Sequence, residues 1–322
     1  MIDRLLEVKN LKIAFPTTSG VRYATHDVTI NVGANERLGV VGESGSGKSV
    51  TALAILGLVQ SPGRIVSGSV RWRGKDMLDP KVAQEVRGRE IAMIFQDPMA
   101  SLNPLMKIEK QISEVLVKRR GFDRSTANKR VIELLEMVGI PSPRERARQF
   151  PFEFSGGMLQ RVMIASALAS EPKLLIADEP TTALDVTIQA QILELLMNLS
   201  KDLGVSVMMI THDLGVVAEF CDRVQVMYAG RIVERAPCIP LFAEPLHPYS
   251  RGLIESSPRV DREVNSVEPI AGDPPSHALE ISGCPFSNRC KESVARCSIE
   301  EPDLVEVSSK RWVSCWNREI KQ

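Results

Sequence analysis

The stretch that decides the fold is Gly42-Glu-Ser-Gly-Ser-Gly-Lys-Ser49, which directly follows the apolar run Leu38-Gly-Val-Val41. The run predicts a buried strand, and residues 49–58 after it predict a helix. The glycines between them let successive backbone N–H groups turn towards a phosphate, and the helix N-terminus adds its dipole. Lys48 offers a cation to the β- and γ-phosphates, and Ser49 offers a hydroxyl to Mg²⁺. The stretch therefore predicts a phosphate-binding loop.

A carboxylate pair follows a second apolar run, because Leu174-Leu-Ile-Ala177 ends at Asp178-Glu179. Ligands of open parallel α/β sheets bind at the carboxyl ends of the strands. Asp178 is therefore predicted to hold Mg²⁺, directly or through water, and Glu179 to polarise the attacking water as a general base. The alternative is a helix-capping pair before Pro180, which the phosphate-binding loop upstream makes the weaker interpretation.

Two further polar residues, His212 and Gln96, are candidates for the same site. His212 follows the predicted strand Val205–Ile210 in the string Thr-His-Asp, and from there it can position the γ-phosphate or the water. Gln96, in Ile-Phe-Gln-Asp-Pro, can ligate Mg²⁺ and sense the γ-phosphate. Taken singly, either residue would be read as an ordinary structural or surface side chain.

The composition bounds the class of protein. The 322 residues have room for one large domain with an extension, or for two small domains, and 43% of them are hydrophobic. The 40 basic and 40 acidic residues cancel, so the charge gives no reason to expect a nucleic-acid partner. Without a bilayer-long apolar run or a signal-peptide pattern at the N-terminus, we expect the chain in the cytoplasm, docking to membrane proteins if it works at a membrane.

The rest of the chain divides into regions that differ in hydrophobic periodicity and in proline content. Residues 5–15 and 28–32 predict strands, and residues from about 97 to 165 predict a mostly helical insertion. An amphipathic helix is expected around residues 188–199, from its apolar spacing. Beyond about residue 236 prolines recur, and we expect sparse regular structure there.

Together these motifs resemble the ATP-binding cassette (ABC) ATPases over about residues 5 to 240. The carriers are the loop Gly42–Ser49, Gln96 of the Q-loop, the signature Phe154-Ser-Gly-Gly-Met158, the Asp178-Glu179 pair, the D-loop Ala183-Leu-Asp185 and the switch residue His212. The resemblance implies an α/β fold: a P-loop ATPase with a RecA-like core, an antiparallel β subdomain, a helical signature subdomain and an irregular C-terminal extension. It places the nucleotide-binding domain at residues 1–240 and the extension at 241–322.

The resemblance also implies site residues. Tyr23 matches the aromatic residue that stacks on adenine, although an ordinary strand tyrosine is the alternative. Glu179, His212 and Lys48 would be catalytic, and Ser49, Gln96 and Asp178 would hold Mg²⁺. The residues expected to contact the bound ATP are Tyr23, Gly42, Glu43, Ser44, Gly45, Ser46, Gly47, Lys48, Ser49, Val50, Gln96 and Asp178.

The signature implies a second subunit. In this family the signature of one subunit closes over the ATP bound by the other, so Ser155, Gly156 and Gly157 would contact the partner's ATP. A hydroxyl, two glycines and a following helix N-terminus are anion-binding features. Met158 and Phe154 depart from the commoner Gln and Leu, but the Ser-Gly-Gly core is intact.

Three further strings narrow the resemblance to the dipeptide, oligopeptide and nickel branch of ABC importers. They are Phe95-Gln-Asp-Pro-Met-Ala-Ser-Leu-Asn-Pro104, Phe154-Ser-Gly-Gly-Met-Leu-Gln-Arg-Val-Met-Ile-Ala165 and Pro245-Leu-His-Pro-Tyr-Ser-Arg251. The branch implies a paralogous ATPase partner, two permease subunits and an external binding protein, with this chain peripheral at the cytoplasmic face of a bacterial inner membrane. The cargo stays open among dipeptides, oligopeptides, nickel chelates, glutathione and opines.

Four of the six cysteines lie close together near the C-terminus, at Cys284, Cys290, Cys297 and Cys315. Their spacing lacks the short C-x₂₋₄-C knuckle that is usual in zinc sites. Related importer ATPases carry a [4Fe–4S] cluster in this extension, and the resemblance carries that cluster to these four positions. Zinc and free cysteines remain alternatives. Cys221 and Cys238 are expected to be buried or incidental. Trp312 and Trp316 are expected to pack the extension onto the main domain, with shielding of a cluster as the alternative.

Three other functions compete with an importer ATPase. A soluble ABC ATPase acting on DNA or ribosomes usually has two cassettes or a long coiled-coil insert, and the sequence shows one phosphate-binding loop and no heptad insert. The His-Pro-Tyr string argues against an exporter. A metal-sensing regulator built around the cysteines is the third alternative.

Overall fold

The computed structural model describes residues 4–18, 20–182, 184–257, 270–275 and 282–318. These residues fall into two compact units. The first unit comprises residues 33–36 and 79–208, and the second comprises 4–32, 37–78 and 209 onward.

In the second unit, four strands form a sheet of the order β2-β1-β4-β5. The strands are β1 (Arg4–Thr17), β2 (Gly20–Gly33), β4 (Arg64–Trp72) and β5 (Lys75–Asp76). β1 and β4 run antiparallel, with Leu6 opposite Trp72 and Val8 opposite Val70. All four side chains are fully buried, so this cross-strand pairing builds one face of the core.

A second sheet in the same unit has the order β11-β12-β10-β9-β3, followed by β8. Its strands are β3 (Arg37–Val41), β8 (Ser206–Thr211), β9 (Arg223–Tyr228), β10 (Arg231–Pro237), β11 (Val305–Ser308) and β12 (Arg311–Val313). β3 and β9 are parallel, whereas β10 pairs antiparallel with both β9 and β12. The helices of the unit are α1 (Lys48–Ile55), α9 (Leu214–Phe220), α10 (Cys238–Ala243) and α11 (Pro248–Glu255).

The first unit combines helices with the parallel strands β6 (Ile91–Ile94) and β7 (Leu174–Asp178), and it includes the first half of β8. Its helices are α2 (Pro80–Val86), α3 (Pro98–Ser101), α4 (Ile108–Val115), α5 (Arg124–Met137), α6 (Pro143–Arg146), α7 (Gly156–Leu168) and α8 (Val186–Leu203). A π-helical turn, Leu116–Arg120, extends α4. The described part of residues 97–165 contains helices and no strand.

Most predicted elements are confirmed, but the C-terminal region holds more regular structure than expected. β3, β7 and β8 coincide with the three apolar runs within one residue, and α1 begins one residue earlier than predicted. Beyond residue 236, however, α10 and α11 form, and β12 joins the second sheet through β10. Local composition does not reveal this because a three-residue strand is stabilised by its partner strand rather than by its own propensity. No helix among the described residues is long and apolar enough to span a membrane.

Candidate active site

The loop Gly42–Ser49 joins β3 to α1, as the sequence predicts. Lys48 is buried, and its Nζ donates to the backbone oxygens of Gly42 at 2.7 Å and Glu43 at 2.8 Å and to the Ser46 hydroxyl at 3.3 Å. Gly42 has a φ of 156°, and a Cβ there would lie 2.0 Å from the Met227 carbonyl oxygen. The loop therefore requires glycine at this position, and it holds the Lys48 ammonium inside its curve.

Tyr23 lies on β2, next in the chain to a residue that touches the loop. A Cβ on Gly47 would meet the backbone oxygen of Ala24 at 2.4 Å, so β2 passes directly beside the loop. The Tyr23 ring is half-buried and has the Lys12 ammonium 4.3 Å from its centroid and the His26 ring at 5.2 Å. Tyr23 therefore lies on the strand that borders the phosphate-binding loop.

The predicted general base is restrained by its own neighbours in the first unit. Glu179 Oε2 accepts a hydrogen bond from Gln96 Nε2 at 2.9 Å and another from the Thr182 hydroxyl at 2.9 Å. Glu179 also has a φ of 46°, in the left-handed region, which costs a non-glycine residue roughly 1–2 kcal/mol. Backbone strain of this kind concentrates at functional positions.

The pairing of β6 with β7 determines where Gln96 and Asp178 lie. The two strands are parallel, with Ile94 opposite Ala177, so residues just past both strands meet at the same sheet edge. Asp178 is the buried last residue of β7, and Gln96 is exposed two residues beyond β6. His212 directly follows β8 and is exposed.

The signature residues begin helix α7. Ser155 is the N-cap, and its hydroxyl accepts a hydrogen bond from the Met158 N–H at 3.4 Å. Ser155 and Gly156 are exposed, whereas a Cβ on Gly157 would meet Ile188 Cγ2 at 2.7 Å. The signature therefore presents an open helix N-terminus while Gly157 packs closely against α8.

The D-loop residues lie at the start of α8. Asp185 is the N-cap, and its carboxylate accepts a hydrogen bond from the Ile188 N–H at 3.0 Å. Ala183, which the sequence analysis includes in the D-loop, lies outside the described residues.

The His-Pro-Tyr string forms the start of α11. His247 is the N-cap, and its Nδ1 accepts from the Tyr249 N–H at 3.0 Å. The backbone N–H groups of Leu246 and His247 donate to the buried Glu234 carboxylate at 2.9 and 2.8 Å. Burial, reinforced by the Arg318 cation, lowers the pKa of His247 to about 3, so its imidazole is neutral.

The string also reaches the phosphate-binding loop. The Tyr249 hydroxyl accepts a hydrogen bond from the backbone N–H of Glu43 at 2.8 Å. The side chain of Glu43 is paired with Arg289, at 2.8 and 3.0 Å. Glu43, one of the residues expected to contact ATP, is thus bound through both its side chain and its N–H to the C-terminal region.

The four clustered cysteines line one small cavity, together with His247, Phe286 and Trp316 among other residues. Burial raises the pKa of the Cys284 thiol to about 11 and also raises the pKa values of Cys290 and Cys315. The convergence that the spacing required is therefore present.

The cavity is nonetheless tight. The space that its lining residues enclose has a volume of about 10 Å³, room for a water-sized group. Among the described residues, no three His, Cys, Asp or Glu side chains are arranged to hold a metal ion. The donor chemistry of four thiols fits an iron–sulfur or zinc site, but the arrangement in this structure does not.

The remaining cysteines and tryptophans have structural positions. Cys221 and Cys238 are buried, as predicted. Trp312 lies on β12 with the Arg235 guanidinium 5.3 Å from its ring centroid, whereas Trp316 lines the cysteine cavity. Trp312 therefore contacts β10 through Arg235, and Trp316 borders the cavity that the cysteines share.

Sequence reasoning missed two residues that act on this site. Thr182 restrains Glu179, and Arg289 pairs with Glu43. Thr182 lies three residues after Glu179, close enough in sequence for its hydroxyl to reach that carboxylate. Arg289 carries no local signal, since it contacts Glu43 across 246 residues of chain.

Similarity to known proteins decides the family. The chain is 51% identical to the oligopeptide transport ATP-binding protein OppD of Bacillus subtilis (strain 168), covering 98% of this chain and 89% of that one. The chain belongs to the ABC transporter family. The family model for the ABC transporter matches residues 25–182, and the model for the oligopeptide/dipeptide transporter C-terminal region matches residues 233–297.

Two further relatives agree. The dipeptide transport ATP-binding protein DppD of Bacillus subtilis (strain 168) is 44% identical over 98% of this chain and 95% of its own. Among solved structures, the dimeric ATP-binding cassette MJ0796 bound to ADP and Pi has a TM-score of 0.65 at 30% identity, covering 72% of this chain and 98% of that one. The predicted fold class and the predicted importer-ATPase family are therefore confirmed.

Proposed function

We propose that this ABC protein is the ATP-hydrolysing subunit that powers a bacterial importer of di- and oligopeptides. The observation that carries the proposal is the match of residues 233–297 to the oligopeptide/dipeptide transporter C-terminal region, in addition to the ABC match. The relatives named for oligopeptide and dipeptide transport support the same cargo class. The chain would act as a peripheral subunit at the cytoplasmic face of the inner membrane.

ATP would bind at the loop Gly42–Ser49, with Tyr23 against the adenine and Val50 at the following turn of α1. Lys48 Nζ, which now donates to the carbonyl oxygens of Gly42 and Glu43, would turn to the β- and γ-phosphates. Ser49, Gln96 and Asp178 would hold Mg²⁺, which neutralises charge on the phosphates.

Hydrolysis would depend on Glu179 as the general base for the attacking water and on His212 as the residue that stabilises the γ-phosphate in the transition state. The hydrogen bonds from Gln96 and Thr182 both reach Oε2 of Glu179 and restrain the carboxylate that would face the water. Because Gln96 would contact both Mg²⁺ and Glu179, its movement would report the presence of the γ-phosphate.

The working unit would be a pair of ATPases. Ser155, Gly156 and Gly157 would close over the ATP held by a paralogous ATPase subunit, whose signature would close over the ATP held here. The exposed N-terminus of α7 supports this role, since it presents backbone N–H groups and a positive dipole end to an anion. Two permease subunits would receive the motion, and an external binding protein would deliver the peptide.

A [4Fe–4S] cluster on Cys284, Cys290, Cys297 and Cys315 would require these thiols to move into a ligand geometry that the described residues do not have in this structure. The shared cavity and the four thiol donors support this assignment, and zinc is the alternative for the same donor set. Iron, sulfide and zinc analysis of anaerobically purified protein, with a visible absorption spectrum, would separate the two.

We also propose a domain boundary at residue 240, with the nucleotide-binding domain at 1–240 and the extension at 241–322.

The function is tested by reconstituting this chain with its permease subunits, the paralogous ATPase and the binding protein in proteoliposomes. We expect ATP-driven uptake of a labelled di- or oligopeptide, which Lys48→Ala abolishes. Uptake of nickel, glutathione or an opine instead of peptides would overturn the cargo assignment. ATP hydrolysis without any uptake would overturn the importer itself.

A further inference from the structure

Glu43 links the phosphate-binding loop to the C-terminal extension. Its carboxylate accepts two hydrogen bonds from one guanidinium, from Arg289 Nη1 at 2.8 Å and from Nη2 at 3.0 Å. A two-pronged pair of this kind fixes orientation as well as distance. The Glu43 N–H donates to the Tyr249 hydroxyl at 2.8 Å, so the backbone at this position is held from the same side.

Arg289 is itself held firmly by the extension. Its Nε donates to the Ala271 oxygen at 3.0 Å, its Nη2 to the Ile270 oxygen at 3.2 Å and its Nη1 to the Tyr228 hydroxyl at 3.3 Å. The side chain is only 6% exposed. The extension therefore sets the position of the guanidinium, and the guanidinium sets the position of Glu43.

A cluster of aromatic rings, Tyr228, Tyr249 and Phe286, packs against the Arg289 guanidinium and the residues that hold it. Phe286 packs edge-on against Tyr228, with ring centroids 5.2 Å apart, and lies 5.4 Å from the Tyr249 ring. The Arg289 guanidinium lies 5.8 and 5.9 Å from the ring centroids of Tyr228 and Phe286. A cation held against ring faces in a buried site gains attraction that an exposed pair would lack.

The charge of Glu43 explains why this pairing matters. The phosphates of ATP are polyanionic, and an unpaired carboxylate in the loop that receives them would repel them. The backbone of the same residue also matters, because Lys48 Nζ donates to the Glu43 carbonyl oxygen at 2.8 Å. If Glu43 were not held, its carboxylate would change the electrostatic potential in the loop. Movement of its backbone would also disturb the hydrogen bond that Lys48 Nζ donates to its carbonyl oxygen.

We propose that Arg289 is a positioning residue for the phosphate-binding loop: it neutralises Glu43 and, with Tyr249, holds the loop in the conformation that takes ATP. The inference rests on the proposed ATP-binding role of this loop. It makes the C-terminal extension part of the nucleotide site, although Arg289 does not itself touch the phosphates.

The test compares Arg289→Gln, Glu43→Gln and the double variant. We expect Arg289→Gln to weaken binding of Mg-ATP to the full-length chain by about tenfold or more, because it strands a carboxylate in the loop. In the complete importer, KM for ATP should rise similarly while kcat changes little, the pattern expected when binding of the ground state and of the transition state is weakened equally. The double variant Arg289→Gln/Glu43→Gln should regain most of the wild-type affinity. Arg289→Lys, in place of Arg289→Gln, should keep part of it.

The controls separate this inference from the proposed function. Arg318→Gln removes another arginine–glutamate pair of the extension, with Glu292 at 2.8 Å, and should leave ATP affinity unchanged. If the wild type binds ATP and Lys48→Ala does not, but Arg289→Gln binds as the wild type does, the positioning role is refuted and the ATP site stands. If the wild type binds no ATP, or Lys48→Ala binds it equally well, the proposed function itself fails.

Misfolding of Arg289→Gln would leave the single variant Glu43→Gln to decide. Because the loop is expected to contact phosphate through its backbone N–H groups, Glu43→Gln keeps the backbone contact of this residue and removes only the carboxylate. The Arg289 cation remains beside the loop, so ATP affinity should be equal to or higher than that of the wild type. A Glu43→Gln variant that folds, by circular dichroism and size-exclusion chromatography, but binds ATP about tenfold more weakly would refute the neutralisation argument.

Discussion

Glu179 illustrates how a single residue combines strain with restraint. Its left-handed backbone is unfavourable for a side chain with a Cβ, yet two hydrogen bonds to the same carboxylate oxygen hold it in place. A general base gains from such fixation because the proton acceptor must already face its water. Since Gln96 lies just beyond one strand and Glu179 just beyond its neighbour, the restraint comes from the pairing of β6 and β7.

The first prediction follows from this geometry. Glu179→Gln should bind ATP as tightly as the wild type, because an amide oxygen can still accept from Gln96 and Thr182. Phosphate release by the complex should fall by at least about a hundredfold, since an amide cannot take a proton from water. Glu194→Gln, at an exposed position of α8, is the matched control and should hydrolyse ATP normally.

Hydrolysis by Glu179→Gln at the wild-type rate would contradict the assignment of the base. Because the paralogous ATPase contributes its own site, the measurement needs a complex in which the partner's site has been inactivated.

Residues of this site were predictable to the extent that their chemistry is local. The loop Gly42–Ser49 and the pair Asp178-Glu179 can be recognised from sequence because a strand, a turn and the reactive groups are adjacent in the chain. Arg289 could not be found in this way. Its significance comes from Glu43, which lies 246 residues away and meets it only after the extension has folded.

At the scale of elements, helix α7 shows how two neighbouring glycines have different reasons to be glycine. Gly156 is exposed, and a Cβ there would find its nearest neighbour, Leu184 Cδ2, at 3.7 Å. At Gly157 the added atom would come within 2.7 Å of Ile188 Cγ2, a branch near the backbone that cannot swing away freely. The approach of α7 to α8 therefore depends on Gly157.

The second prediction compares the two positions. Gly157→Ala should lower the thermal unfolding midpoint relative to Gly156→Ala, corresponding to roughly 1–3 kcal/mol of overpacking. Both substitutions add the same methyl group within the first turn of the same helix, so the difference isolates the contact with Ile188. Ile188→Ala combined with Gly157→Ala should remove much of that difference. Equal midpoints for the two single variants would show that α8 adjusts without cost.

Elements were predictable where burial and periodicity coincide. β3, β7 and β8 are continuous apolar runs, and such runs specify buried strands with little help from context. β12 is different, since it has only three residues and pairs with β10 across a long stretch of chain. Its register is set by its partner strand, which no local window of sequence contains.

At the scale of the whole molecule, buried polar groups make stability depend on pH. His247 is almost completely buried and serves as the neutral N-cap of α11, with its pKa lowered to about 3, chiefly by burial. The ordinary histidine pKa is 6.5, so between that pH and about 3 the unfolded chain binds a proton that the folded chain does not. The stabilisation is complete above pH 6.5 and is lost as the pH falls through this window.

The third prediction is the size of that dependence. From pH 7 to pH 5, His247 should reduce the free energy of unfolding by about 2 kcal/mol. His247→Asn keeps a capping side chain without a titratable ring, and its stability should fall less over the same interval. Urea denaturation of both proteins at the two pH values measures the difference. Identical losses in the two proteins would mean that His247 titrates alike in the folded and unfolded states.

The pairing of β12 with β10 has a further consequence, for solubility. Without the last residues of the chain, the backbone N–H and C=O groups along that side of β10 would face solvent as an open strand edge, ready to pair with another copy. In the described structure β12 covers this edge, and the edge beyond it is β11, a strand of four residues with Glu306 among them. A short, charged edge is a poor template for intermolecular pairing. Removing the extension to obtain a minimal ATPase would therefore favour aggregation, even where the phosphate-binding loop is left untouched.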